Sequence, residues 1–182
     1  KELLDKYNIP KESTLFIYGG NLGKPQGIDF LLQVTDNFCK IDNGYLIIVG
    51  NGTEFDKIKN HLENKKYTNV KLFNRLPKNE YDQLLEIADV GLIFLDRRFT
   101  IPNFPSRLTA YMEYSKPVLA ATDINTDLKD VLKESGSGFW SESGDLKTFL
   151  ENANRLTSDS NIREQMGLNG RIYLEKNYDI RS

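Results

Sequence analysis

"TLFIYGGNLGKPQGIDFLLQV", residues 14–34, holds an apolar run, a glycine-rich turn and an amphipathic run, in that order. Thr14 to Tyr18 has the β-branched and aromatic content of a buried strand. After Gly27, the residues Ile28, Leu31, Leu32, Thr35 and Phe38 recur at three- and four-residue spacing and share one helix face. Between the two lie four glycines and a proline in nine residues, Gly19 to Gly27. This is the turn where a strand hands over to a helix. Glycine there is either ordinary turn chemistry or the removal of side chains so that a ligand can approach the backbone.

The same alternation runs along the rest of the chain. Further apolar runs at 45–50, 70–74, 90–95, 117–121 and 138–141 are short and mostly continuous, as expected for strands covered on both faces. Amphipathic stretches separate them, and two helical patterns, 145–158 and 161–177, finish the chain. Strand and helix in alternation predict an α/β fold: a doubly wound, parallel, six-stranded Rossmann-like sheet with right-handed crossovers. In such a sheet ligands bind at the carboxyl ends of the strands, near the switch in strand order. Those ends carry "GGNLGK", "GNG", "NRLP", "LDRRFTIPNFPSR" and "ATDINTD".

Composition narrows the function classes. The chain has 182 residues, a net charge of −2 and 39% hydrophobic residues, enough for one sizeable core. Its basic residues are dispersed, which argues against nucleic acid as a partner. One cysteine, Cys39, excludes an internal disulfide and suits a reducing compartment. With His61 the only histidine, a zinc site of His and Cys is not available. No apolar run approaches the roughly 18 residues that span a bilayer. The sequence opens on "KELLDKYNIPKEST" without a Met and stops at "EKNYDIRS". It reads as a piece of a larger protein: residues 1–12 an interdomain linker, 13–177 a binding domain, 178–182 the start of a crossover helix.

Three segments carry chemistry. Backbone NH groups of Gly19, Gly20 and Asn21, beside a helix start near Gly27, would make a phosphate cradle, although neither the dinucleotide fingerprint nor the P-loop spacing is present. A long turn without a ligand explains these residues equally well. In "PNFPSRLTAYMEYSKPVLAA", 102–121, Pro105 suits a first helical turn with Ser106 and Arg107 beside it. Free NH groups, a hydroxyl and a guanidinium then converge, a combination that suits a diphosphate. Alone, a capping serine and a solvated arginine would account for it. In "LFNRLPKNEYDQLLEIADVGLI", 72–93, backbone after Phe73 could pair with the edge of a nucleobase, and Asn79 is a fair cap for the helix carrying Tyr81, Leu84, Leu85 and Ala88.

Taken in order, these pieces resemble the C-terminal, donor-binding domain of GT-B glycosyltransferases of family 4 (group 1), as found in surface-polysaccharide synthesis. "FIYGGNLGKPQGIDFLLQV" resembles the family's first strand and glycine loop, and "LIIVGNGTEFDKIK" its second strand and G-x-G turn. "VKLFNRLPKNEYDQLLEIADVGLIFL" is similar to its base-binding strand and the helix that follows. "FPSRLTAYMEYSKPVLAATD" is similar to the segment that holds the donor diphosphate, and "SGSGFWSESGDLKTFLENANRL" to the closing stretch. The resemblance implies a nucleotide-sugar donor, UDP-linked by preference, and glycosyl transfer with retention, no cofactor and no required metal. It implies that Gly19, Gly20 and Asn21 lie against the donor phosphates. Ser106 and Arg107 would bind the diphosphate, and Arg75 and Leu76 would meet the base through their backbone. Its partners would be an absent N-terminal acceptor domain and a glycan or lipid-linked acceptor. Its place would be the cytoplasm, with the absent domain making any contact with the inner face of the membrane.

Three departures stand against the family pattern. Its paired glutamates correspond to Pro102 and Ala110 here, which puts ribose recognition in doubt; Glu113, one turn on, is the candidate substitute, with a solvated glutamate the plainer reading. Gln26 stands where a basic residue is usual, so either Lys24 supplies that charge or it is a surface lysine. Ser115 replaces a glycine, which is expected to be tolerated. A GT-B nucleotide-sugar 2-epimerase is a second reading, disfavoured by the scarcity of histidine. A non-catalytic Rossmann-like binding module is a third, favoured by Pro102 and Ala110. Of the remaining candidates, His61 reads as solvated, Cys39 as buried or half-buried, Trp140 as packing, and Arg97 and Arg98 as a solvated loop.

Overall fold

A computed structural model describes residues 2–96 and 106–177, with the side chain of Ser106 excepted. Readings placed on Arg97, Arg98, Pro102, Pro105 and 178–182 lie outside the described residues.

Six strands form one all-parallel sheet: β1 Thr14–Asn21, β2 Gly44–Asn51, β3 Val70–Phe73, β4 Val90–Phe94, β5 Val118–Thr122 and β6 Gly138–Glu142. Their spatial order is β3-β2-β1-β4-β5-β6. The order reverses between β1 and β4, so the switch point lies there. Eight α-helices accompany the strands: α1 Glu2–Lys6, α2 Ile28–Asn37, α3 Phe55–Lys65, α4 Lys78–Ile87, α5 Ser106–Glu113, α6 Leu128–Ser135, α7 Leu146–Ser158 and α8 Ser160–Asn177.

Strand alternation sorts the core into two layers. Leu15 and Ile17 of β1 face one way, and there they meet Leu84, Leu85, Leu108, Tyr111, Leu132 and Leu174 from α4, α5, α6 and α8. Phe16 and Tyr18 face the other way, onto Phe30, Leu31, Ile58, Phe149 and Leu156 from α2, α3 and α7. Helices on both faces explain why β1 and β4 are apolar throughout.

Four local expectations need correction or refinement. Segment 1–12, whose opening also reads as a helix end, carries α1, and its Leu3, Leu4 and Ile9 are buried in the α4–α5 layer. Asn79 does not cap α4: Pro77 holds that position in an extended conformation, and its ring pre-sets the chain at the helix start. Cys39 is exposed rather than half-buried. The chain tightens into a 3-10 turn over Phe38–Lys40, so the helical period that buries Phe38 no longer applies to its neighbour. His61 is not simply solvated: its Nε2 lies 2.7 Å from Asp36 Oδ1, tying α3 to α2.

Candidate nucleotide-binding cleft

The carboxyl ends of β1, β2 and β3 and the first turns of α5 enclose a cleft of about 630 Å³. Gly19, Gly20 and Asn21 form its floor, Val49, Gly50 and Asn51 one flank, Asn74, Arg75 and Leu76 one end, and Tyr81, Arg107 and Ala110 the wall. Five separate stretches of sequence therefore meet beside the switch point, near which the fold rule places a ligand.

The two glycines of the floor leave space that side chains of α4 and α5 occupy. A Cβ on Gly19 would lie 2.2 Å from Tyr81 Oη, and one on Gly20 would lie 2.4 Å from Arg107 Nη2. Gly20 also has φ of +129°, outside the range of other residues. The backbone of β1 is thus bare so that the Tyr81 ring and the Arg107 guanidinium can sit directly on it.

Two arginines line the cleft, Arg75 at its β3 end and Arg107 over β1. The Arg107 guanidinium carbon lies 4.7 Å from the centre of the Tyr18 ring, a contact that fixes its plane. The hydroxyl of Tyr18 lies 3.2 Å from the Asn21 carbonyl oxygen, to which it donates. Burial pushes the Tyr18 hydroxyl up to about 12, with the nearby Arg107 charge pulling the other way. Burial likewise raises Tyr81, again opposed by Arg107. Both phenols therefore stay neutral beside the guanidinium at ordinary pH, and the positive charge is left for a ligand.

The helix that carries Arg107 is anchored from below. Tyr111, fully buried, places its hydroxyl 2.9 Å from the Leu92 carbonyl oxygen and 3.2 Å from that of Ile17, so it donates between β4 and β1. One turn above, this anchor sets the height of Arg107 over β1.

Of the residues singled out in the sequence, Gly19, Gly20, Asn21, Arg75, Leu76 and Arg107 line the cleft together. Ser106 opens α5. Lys24 and Gln26 lie outside the lining, in a 3-10 turn over Lys24–Gln26. Lys24 is exposed, whereas Gln26 Oε1 accepts from Asn21 Nδ2 at 3.4 Å. Glu113 also stands apart; it is exposed, and its carbonyl oxygen accepts from Arg171 Nη1 at 2.7 Å. Sequence reasoning did not single out Asn51 or Asn74 for a role, though Asn51 ends β2 and Asn74 follows β3, so both carried the strand-end signal. Tyr81 was read only as a helix-face residue. Among the described residues, the lining contains no carboxylate, imidazole or thiol, and no group of three or more metal-ligating side chains stands together. No helix of the described residues is long and apolar enough to cross a membrane.

A parallel sheet in this order, with helices on both faces and a cleft at the strand ends, defines a domain of Rossmann-like type. The chain belongs to the group 1 glycosyl transferases, whose family profile matches residues 1–173. It is 28% identical over 134 residues to a probable glycosyltransferase, WbjE, of Pseudomonas aeruginosa, covering 72% of this chain and 33% of that protein. It is 22% identical over 129 residues to WcaI of Escherichia coli, a putative colanic acid biosynthesis glycosyl transferase, covering 69% and 31%. The chain thus spans about a third of the length of these relatives. Its fold matches the crystal structure of Anabaena HepE in complex with UDP-glucose, with a TM-score of 0.78 at 16% identity, over 98% of this chain and 48% of that one. The sheet is therefore that of a GT-B Rossmann-like domain.

Proposed function

We propose that this chain is the donor-binding half of a retaining glycosyltransferase of surface-polysaccharide synthesis, and that it takes a UDP-linked sugar. The observation that carries the reading is the seating of Arg107 on the bare backbone of Gly20, at the switch point of the sheet. A diphosphate is well met by a planar cation beside strand-end backbone, and the cleft sets Arg107 over the end of β1. Support comes also from the UDP-glucose complex of HepE and from the colanic acid role in the name of WcaI.

In the reaction, the bond from the sugar's anomeric carbon to the diphosphate oxygen breaks, and its electron pair goes to the diphosphate. The acceptor hydroxyl oxygen forms the new bond to that carbon, and its proton leaves with the diphosphate. Negative charge grows on the leaving group as this happens. Arg107 and the α5 start are already in place to stabilise it, without reorganisation. With no carboxylate in the lining to ligate a divalent ion, phosphate charge in this reading is met by Arg107 and backbone NH groups. The base lies toward Arg75 and Leu76. An acceptor domain outside this chain brings the glycan or lipid-linked acceptor.

The test is calorimetric titration of the chain with UDP, GDP, dTDP and ADP, beside Arg107→Ala. One diphosphate should bind with a free energy of roughly −8 to −4 kcal/mol, and the variant should lose it. Equal binding by the variant would sink the reading.

A further inference from the structure

Tyr81 stands in the wall of the cleft, yet its hydroxyl takes no part in the protein's own hydrogen bonding. The end of its ring lies against the bare backbone of β1: a Cβ on Gly19 would be 2.2 Å from Tyr81 Oη and 2.7 Å from its Cζ. What bears on the hydroxyl is burial and then the charges nearby, Arg107 first among them, and it makes no hydrogen bond to another described residue. Nor is it sealed in. Among the described residues, the buried side-chain oxygens and nitrogens without a partner are those of Asp123, just past the end of β5 and outside this lining.

The helix start fixes where the ring stands. Tyr81 belongs to the first turn of α4, where its NH donates to the Pro77 carbonyl oxygen at 3.0 Å. One turn on, Leu84 and Leu85 are buried in the core and hold the helix against the sheet. A donor placed in advance in this way costs a ligand little ordering. Its neighbour at the strand end is Arg107, whose Nη2 would lie 2.4 Å from a Cβ on Gly20. Gly19 and Gly20 are consecutive, so their Cα atoms are about 3.8 Å apart. A phenol and a guanidinium therefore stand over adjoining residues of β1. The guanidinium can only donate, and the neutral phenol has a proton to give. Two donors side by side, one of them charged, suit a ligand with adjoining acceptors and negative charge. No carboxylate of the described lining plays that part. Neighbouring oxygens of a diphosphate do, and they make the stronger, charge-assisted kind of hydrogen bond.

We propose that the Tyr81 hydroxyl donates a hydrogen bond to an oxygen of the donor diphosphate, beside Arg107, and is thus a further binding residue of the cleft. The proposal rests on the nucleotide-sugar reading of the cleft.

Tyr81→Phe removes the hydroxyl and keeps the ring over Gly19. The test is calorimetric titration of the wild-type chain and this variant with UDP and with dideoxy-UDP, whose ribose carries no hydroxyl. The variant should bind UDP about tenfold to a hundredfold more weakly, the effect of a hydrogen bond to a charged group. It should lose the same factor with the dideoxy ligand. Its ligand-free melting temperature should be unchanged or higher, because the hydroxyl has no partner in the protein to lose. UDP affinity equal to that of the wild type would overturn the assignment. So would a loss with UDP that is absent with dideoxy-UDP, which would put the bond on the ribose. A lower ligand-free melting temperature would overturn it too, as the mark of a structural role. Failure of the wild type to bind UDP would remove the cleft reading itself, and this assignment with it. UDP binding that Arg107→Ala abolishes and Tyr81→Phe leaves intact would spare that reading and remove this assignment alone.

Discussion

Ser115 sits just past the end of α5 with φ of +57°, the left-handed conformation in which helices commonly stop. A side chain there is strained by its Cβ. The serine that replaces a glycine of the family pattern is therefore tolerated at a cost. Ser115→Gly should raise the unfolding free energy by up to about 1 kcal/mol, readable as a higher midpoint in urea. A lower midpoint would mean that the hydroxyl, not the backbone, decides this position. The same scale shows what sequence could reveal of the site. Gly19 and Gly20 were legible as bare backbone because glycine announces itself. What stands over them, the Tyr81 ring and the Arg107 guanidinium, was not: Tyr81 lies 62 positions from Gly19 by its numbering, and only the folded chain brings the two together.

Among the elements, α5 has the most direct bearing on the cleft, because its register sets where Arg107 reaches. Tyr111 pins that register by donating to strand carbonyls of β1 and β4. Tyr111→Phe removes only the hydroxyl. It should cost about 1 kcal/mol of stability and also weaken UDP binding, since the helix is then free to shift under Arg107. A variant that loses stability but binds UDP unchanged would show that packing alone sets the helix. All six strands stand within a few residues of where apolar runs placed them; the inner four, β2, β1, β4 and β5, are buried over most of their length and need no alternation, while the edge strands β3 and β6 are only partly covered. Helix ends and turns were harder to read. Whether Pro77 or Asn79 begins α4 depends on backbone angles, and whether Cys39 is buried depends on a change of helical period over three residues. The α3–α2 tie between His61 and Asp36 joins residues 25 apart, a pairing that no local pattern encodes.

At the scale of the whole molecule, several phenols are buried neutral on both faces of the sheet. Tyr18 is pushed up to about 12 by burial, with Arg107 opposing, and burial raises Tyr111 and Tyr81 as well. In the unfolded chain a tyrosine ionises near 10. The folded state holds these protons more tightly, so their contribution is fully present below about pH 10 and is lost as pH rises toward 12. Stability should be flat from neutral pH to about 10 and then fall steeply, as followed by chemical denaturation at stepped pH. Tyr18→Phe should soften that fall, and an unchanged profile would show that Tyr18 does not couple to folding. The parallel sheet and its two-sided cover were legible in the alternation of strand and helix, but the strand order and the fate of single buried groups were not. Asp123 reads in the sequence as one more polar residue at a strand end. Its neighbour Trp140 is the only tryptophan in the chain, and its indole NH is bonded to Thr122 at the foot of the Asp123 turn. The protein therefore carries an intrinsic fluorophore, one of a kind in the chain, tied to the end of β5. Its emission reports on the β5–β6 side of the sheet without any label, and unfolding of that side can be followed apart from the tyrosines around the cleft.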